Sequence, residues 1–247
     1  MRVVQSHMIR RRTSSGIDGR LLQSLAEHMK LPLLQVARQA ELARLTDQPM
    51  AQLDSIELTA DTALVLIDNY LLSTRLAQLH GELELEPVAI SAVLADAAHQ
   101  LAKLAERHQC ELEIHVAGRY EPVIAHRAGL EAALVSLGYV FIEAQSNRSP
   151  KTQRPVIRLA AHRGKNGIVA GLFTDIDGIS SDMYRRAHML YGHARQSLPE
   201  LVAGSGAGVF VADSLLDTMS ARLRVAHHQK LNGLAATLKP SRQLSLI

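Results

Sequence analysis

The chain has 247 residues, 47% of them hydrophobic and 21% charged, and a formal net charge of +3. The hydrophobic share is enough for a real core, and basic and acidic residues are interspersed, which argues against a broadly basic nucleic-acid-binding surface. With no Trp and only three Phe, that core has to be built from Leu, Val, Ile and Ala, a palette of helix bundles and α/β layers. Cys110 is alone, which excludes an intrachain disulfide framework and a cysteine-based metal site. No run approaches the roughly 18 consecutive apolar residues of a membrane helix. The N-terminus lacks the apolar core of a signal peptide, so the expectation is a cytoplasmic protein with no membrane span.

Residues 1–20 are polar and carry the basic cluster Arg10, Arg11 and Arg12. Such a cluster can touch nucleic acid or anionic lipid, but at a chain end it reads as a solvated, flexible tail. Without a helix-turn-helix pattern or aromatic stacking residues, no nucleic-acid partner is expected. From Leu21 to Leu79 there is no Gly and the hydrophobic spacing is helical. Leu22, Leu25, Met29, Val36, Ala40 and Ala43 form one series. After a break at Thr46–Pro49, Leu53, Ile56, Ala60, Leu64, Ile67, Leu71 and Thr74 form a second, close to heptads. Pro49 suits the first turn of the second helix. Val65, Leu66, Leu72 and Leu76 lie off that seam, and two helices alone would leave them in water. A four-helix bundle made by two chains buries them, so a homodimer is expected; packing on the rest of the same chain is the alternative.

The charged alternation Glu82–Pro87 reads as a linker. Beyond it, Ser91–His108 is a helix with Ser91 as N-cap. Glu111–Val116 and Pro122–Ala125 are strands, and Ala128–Ala144 is an apolar helix. Val156–Ala161 and Ile168–Thr174 form a hairpin turned at Gly164-Lys165-Asn166-Gly167. Gly206–Met219 is a helix, and strands follow near Ala221–Ala226 and Leu234–Leu238. That order predicts a mixed sheet layered against helices.

Several stretches carry a resemblance, in order. Glu27-His28-Met29-Lys30-Leu31-Pro32-Leu33 is similar to an H-box. Leu64–Arg75 is similar to the end of a second hairpin helix. Asp175-Ile176-Asp177-Gly178-Ile179 is similar to an Asp–x–Gly adenine motif with one residue deleted. Gly204-Ser205-Gly206-Ala207-Gly208 is similar to a glycine-rich nucleotide box. The whole resembles the kinase core of sensor histidine kinases, a dimerising hairpin followed by a Bergerat-type ATPase domain. The resemblance implies an α+β fold: a tail (1–20), a phosphoacceptor-like hairpin forming a four-helix bundle on dimerisation (21–80), a linker (81–90), an α/β sandwich of the histidine kinase-like ATPase type (91–240) and a tail (241–247). It implies ATP as ligand, held by Asp175, Gly178, Gly204, Gly206 and Gly208, with residues 184–202 as a lid.

The resemblance also implies losses. Glu27 takes the phosphoacceptor position, and a carboxylate there forms no phosphoramidate; His28 is the alternative acceptor, one residue out of register. Ser136 and Val140 take the two metal-holding Asn positions of the helix from His126 to Gln145. Val140 offers no oxygen, so productive Mg²⁺ binding is expected to be lost and no metal ligand is assigned. The expectation is a two-component signalling protein with a partly degenerate site, a weak or inactive kinase acting through dimerisation and contact with a response regulator or a similar partner. An active autokinase using His28 is the alternative. With only about 20 residues ahead of the first helix, input is expected from a partner or ligand.

Overall fold

The computed structural model describes residues 29, 32–45, 49–79, 83–146, 154–175 and 207–241. Two helices come first, α1 over 32–45 and α2 over Pro49–Gln78, and Pro49 does open the second. Then follow β1 (Glu86–Val88), α3 (Ile90–Arg107), β2 (Glu111–Val116), β3 (Val123–Ala125) and α4 (Arg127–Ser146). The chain continues with β4 (Val156–Gly164), β5 (Gly167–Thr174), α5 (Ala207–Thr218), β6 (Leu223–His228) and β7 (Leu231–Leu238). No helix among the described residues is long and apolar enough to cross a membrane.

Two expectations at element ends need correction. The stretch read as linker ends in a strand, because Glu86–Val88 pairs antiparallel with β3. The N-cap of α3 is Ala89, which has no side-chain cap bond; Ser91 lies inside the first turn, and the Ala89 carbonyl accepts from Ala92 and Val93.

The main sheet has the order β2-β4-β5-β7-β6, with β2 and β4 parallel and the other pairs antiparallel. Lys165 and Asn166 turn the β4–β5 hairpin, as the glycines flanking them predict, and Gly167 has φ +147°. Along each strand alternate residues face inward: Ile157, Leu159 and Ala161 on β4, Ile168, Ala170 and Leu172 on β5, Leu234, Ala236 and Leu238 on β7. Against them pack α3, α4 and α5, making the two-layer α/β sandwich expected.

A third layer covers the helices, which is the alternative packing of the hairpin on its own chain. α2 lies across α4 and α5, and its inward face follows Ser55, Thr59, Thr62, Leu66, Asn69, Ser73 and Leu76, a run of alternating four- and three-residue steps flanked by the buried Ala63 and Tyr70. Leu66, Tyr70 and Leu76 join the main core, with Val65 and Leu72 packed against it. The four off-seam residues that motivated a dimer are therefore covered by their own chain. The predicted seam is the one left open: Leu53, Leu64 and Leu71 are 49%, 58% and 42% exposed. The physical reason is α4, whose residues from Ala132 to Ile142 are all buried. A helix apolar all round needs cover on both sides, and the sheet supplies only one.

Candidate functional site

α4 is the spine of the candidate site. Thr174 closes β5 with its hydroxyl held between Gln145 Nε2 (2.8 Å) and the Val156 carbonyl (2.9 Å), tying the strand end to the C-terminal part of α4. Asp175 follows directly and is exposed. Five and nine residues back along α4 from Gln145, on the order of 8 and 14 Å of helix rise, Val140 and Ser136 meet the first turn of α5. A Cβ on Gly208 would lie 2.6 Å from the Ser136 carbonyl oxygen and 2.7 Å from Val140 Cγ2. Glycine is required there for the helices to approach. The structure thus brings Gly208, Ser136 and Val140 together, while Asp175 follows a strand end tied to the same helix through Thr174. Glu27, His28, Gly178, Gly204, Gly206 and the lid at 184–202 lie outside the described residues.

α2 closes this region from the other side. Asn69 Nδ2 donates to Ser136 Oγ at 3.1 Å and is 3.4 Å from the Ala132 carbonyl. Two turns earlier, Thr62 hydrogen-bonds the Tyr139 hydroxyl; burial pushes that phenol up to about 12, the Thr62 bond works against the rise, and Asp61 adds to it. At the other end Leu76 packs on Gly129, where a Cβ would sit 3.0 Å from Leu76 Cδ1. Thr62, Asn69 and Leu76 are seven residues apart and meet α4 in descending order, so the helices run antiparallel with heptad spacing. Sequence reasoning missed Asn69; the signal was a short polar side chain inside the apolar run Leu64–Leu72.

The electrostatics of α4 are those of a dry helix. Burial alone pushes the Glu143 carboxyl up to about 7. Ser136 is 0% and Val140 2% exposed. Magnesium needs a near-octahedral shell of oxygens. Val140 has none to give, and the Ser136 hydroxyl is engaged by Asn69, so these two residues do not fit the ion. Among the described residues no group of His, Cys, Asp or Glu side chains converges for a metal. Beyond the far end of β5 an open cleft of about 860 Å³ is lined by Arg163, Lys165 and Lys239, with Ile124, Ile168 and Pro240. Its three cations are all exposed, the ordinary condition of charges on a turn.

No protein-family profile matches the sequence, and no curated protein matches it either. Solved structures do match in fold. The histidine kinase AdeS of Acinetobacter baumannii superposes with a TM-score of 0.54 at 9% identity, over 86% of this chain and 96% of that one. The histidine kinase ThkA, solved in complex with the response regulator protein TrrA, gives 0.57 at 9% identity over 94% of this chain and 64% of that one. Full-length ShkA in complex with AMPPNP gives 0.52 at 18% identity, over 90% of this chain but only 46% of its own. The chain therefore has the fold of the histidine kinases, helices followed by an ATPase-type α/β sandwich.

Proposed function

We propose that the chain is a two-component signalling protein of the histidine kinase type that works by dimerisation and partner contact, with little or no phosphoryl transfer of its own. The observation that carries the reading is the Asn69–Ser136–Val140–Gly208 junction. Where the resemblance puts metal-holding side chains, this chain has a dry helix–helix contact sealed by α2. Phosphoryl transfer depends on positioning and on stabilising charge around the moving group. Losing the metal-holding Asn and the base beside the acceptor together costs on the order of 10⁴ in rate.

ATP remains the ligand best suited to what is left, with Asp175 at an exposed strand end and the glycine run leading into α5. The likeness to ShkA, solved with AMPPNP, and to ThkA, solved with TrrA, supports nucleotide and response-regulator roles at the level of fold. A homodimer rests now on the outer seam of α2 with Leu33, Leu34, Leu42 and Leu45 of α1, all exposed.

The test is incubation with labelled ATP and Mg²⁺ beside equilibrium nucleotide binding with and without the metal. The expected result is metal-independent binding that Gly206→Val weakens, with no acid-labile label. Robust labelling that disappears in His28→Ala overturns the proposal in favour of an active autokinase.

A further inference from the structure

Three imidazoles meet on the outer face of the sheet, away from the helices. His115 is on β2, His162 on β4 and His228 at the end of β6. His115 Nδ1 is 2.7 Å from His228 Nε2, and His228 Nδ1 is 3.2 Å from His162 Nδ1. The ring centroids are 4.8 and 5.1 Å apart, and Phe173 of β5 packs on His228 at 5.2 Å. β2 and β6 are opposite edges of a five-stranded sheet. Contact between them requires the tip of the β6–β7 hairpin to curl across the outer face. Small residues make room for it: Ala160 pairs with Gly171, Gly171 with Ala235 and Phe173 with Gly233. Gln229 in the tip, at φ +55°, accepts from Arg158 Nη1 at 2.5 Å.

The nitrogens point at one another in a row, not at a common point. This is a hydrogen-bonded chain and not a chelate, and its proton count is restrictive. Each of the two contacts needs one hydrogen. His228 commits both nitrogens, so when neutral it donates from one and accepts on the other. A first added proton goes to the outer nitrogen of whichever end ring is donating, and both contacts survive. A second has to land on a nitrogen that is already accepting. It breaks a contact and sets two cations about 5 Å apart.

Among the described residues no uncommitted carboxylate is placed to neutralise them. By strand alternation the charged residues on this face are Glu111 and Glu113 of β2, Arg158 of β4 and Arg224 of β6, with Lys230 in the tip; β5 and β7 present Val169, Gly171, Phe173, Leu231, Gly233, Ala235 and Thr237. Glu113 is committed to Arg158, at 2.8 Å from Nε and 2.5 Å from Nη2, and Glu111 lies two residues further along β2.

We propose that the His115–His228–His162 chain is a proton-operated latch, which holds the tip of the β6–β7 hairpin across the sheet while it carries at most one proton and releases it at the second. Burial, then His162, His115 and Arg158, hold His228 down to about 4, and burial lowers His162. Release therefore belongs to mildly acid solution. The tip sits where Asn232 pairs with Thr174, one residue before Asp175, so release loosens the strand end that the candidate nucleotide site uses. The latch itself stands whether or not nucleotide binds.

Amide exchange of the full chain between about pH 7.5 and 4.5, corrected for intrinsic rates, reads the latch directly. The expected result is a loss of protection of at least about tenfold over Leu223–Leu231, with β4 and α3 unchanged, and constant protection in His228→Phe. Titration of the ring nitrogens by NMR gives a second reading that needs no variant: His162 and His228 titrate in coupled steps, the second well below the first. Unchanged protection at the tip, simultaneous loss throughout the domain, or independent titrations of His162 and His228 near 6.5 each overturn the proposal.

Discussion

Replacing Asn69 by Ala tests the docking of α2 more directly than any other change. Asn69 is 9% exposed and donates to Ser136 Oγ at 3.1 Å; the second contact, to the Ala132 carbonyl at 3.4 Å, is too long to count for much. A buried neutral hydrogen bond contributes about 1 kcal/mol net, and the lost amide leaves a small void. The freed Ser136 hydroxyl can turn back to the carbonyl four residues earlier, which limits the penalty for leaving it unpaired. The sum is about 1–2 kcal/mol, or a drop in Tm of about 2–8 °C for a chain of this size. Ser136→Ala costs less, and the double variant should show a coupling of about 1 kcal/mol, because one interaction is lost and not two. Thermal melts of the four proteins supply the cycle. A drop under about 1 °C for Asn69→Ala, or strict additivity, refutes the docking and with it the sealed junction.

Gly208→Val should cost about 3 kcal/mol in chemical denaturation, since the new Cβ meets backbone that cannot yield without parting α4 from α5. Glu143, raised by burial to about 7, binds a proton more tightly in the folded chain than in the unfolded one. Its contribution is present below about pH 4.5 and lost as pH rises through about 7, a fall of at most about 3 kcal/mol that Glu143→Gln removes. His228 acts in the opposite sense: its depressed value makes stability fall as pH drops from about 6.5 to about 4, so the Gln variant should keep a slope of that sign, to which the lowered His162 and His108 add. Leu64→Glu places a charge in the open seam of α2, 58% exposed in the single chain. It should shift sedimentation to the monomer and remove the concentration dependence of the melt, with the monomer's own stability within about 0.5 kcal/mol; a wild type already monomeric removes the dimer.

The sandwich was legible because its strands obey a period of two and its helices show an apolar face or run, although the cap of α3 carries no side-chain signal. The β4–β5 hairpin is set by Gly164 and Gly167, and β2 was placed to the residue by its alternation. The facing of α2 was not legible from its Leu count. Its inner seam is Ser55, Thr59, Thr62, Asn69 and Ser73 with two Leu, and its outer seam is richer in Leu and Ile. Hydrophobic periodicity alone picks the second. α4 held the missing clue, since Ala132–Ile142 contains no charged residue on any face, so something other than the sheet has to cover it. The histidine chain was invisible for another reason. Three residues on three strands are brought together by a curl of the sheet that small residues permit, and no spacing in the sequence encodes it.

The composition of the two seams bears on function. A helix meant only to be buried would present Leu to α4. Ser73 instead is 0% exposed with no hydrogen-bond partner among the described residues, and Ser55 is held by Arg107. A buried hydroxyl left unpaired costs about 1–3 kcal/mol, so the inner seam is specific in register without being strong. Leu66 and Leu76 supply about 1.5–3 kcal/mol each by area, and the polar positions give some of that back. The outer seam, with Leu53, Leu64 and Leu71 open, carries the larger unspent driving force. A helix so divided keeps one face on its own sandwich by geometry and offers the other to a second surface by hydrophobicity. Whatever covers the outer seam then meets the same helix that carries Asn69 to Ser136.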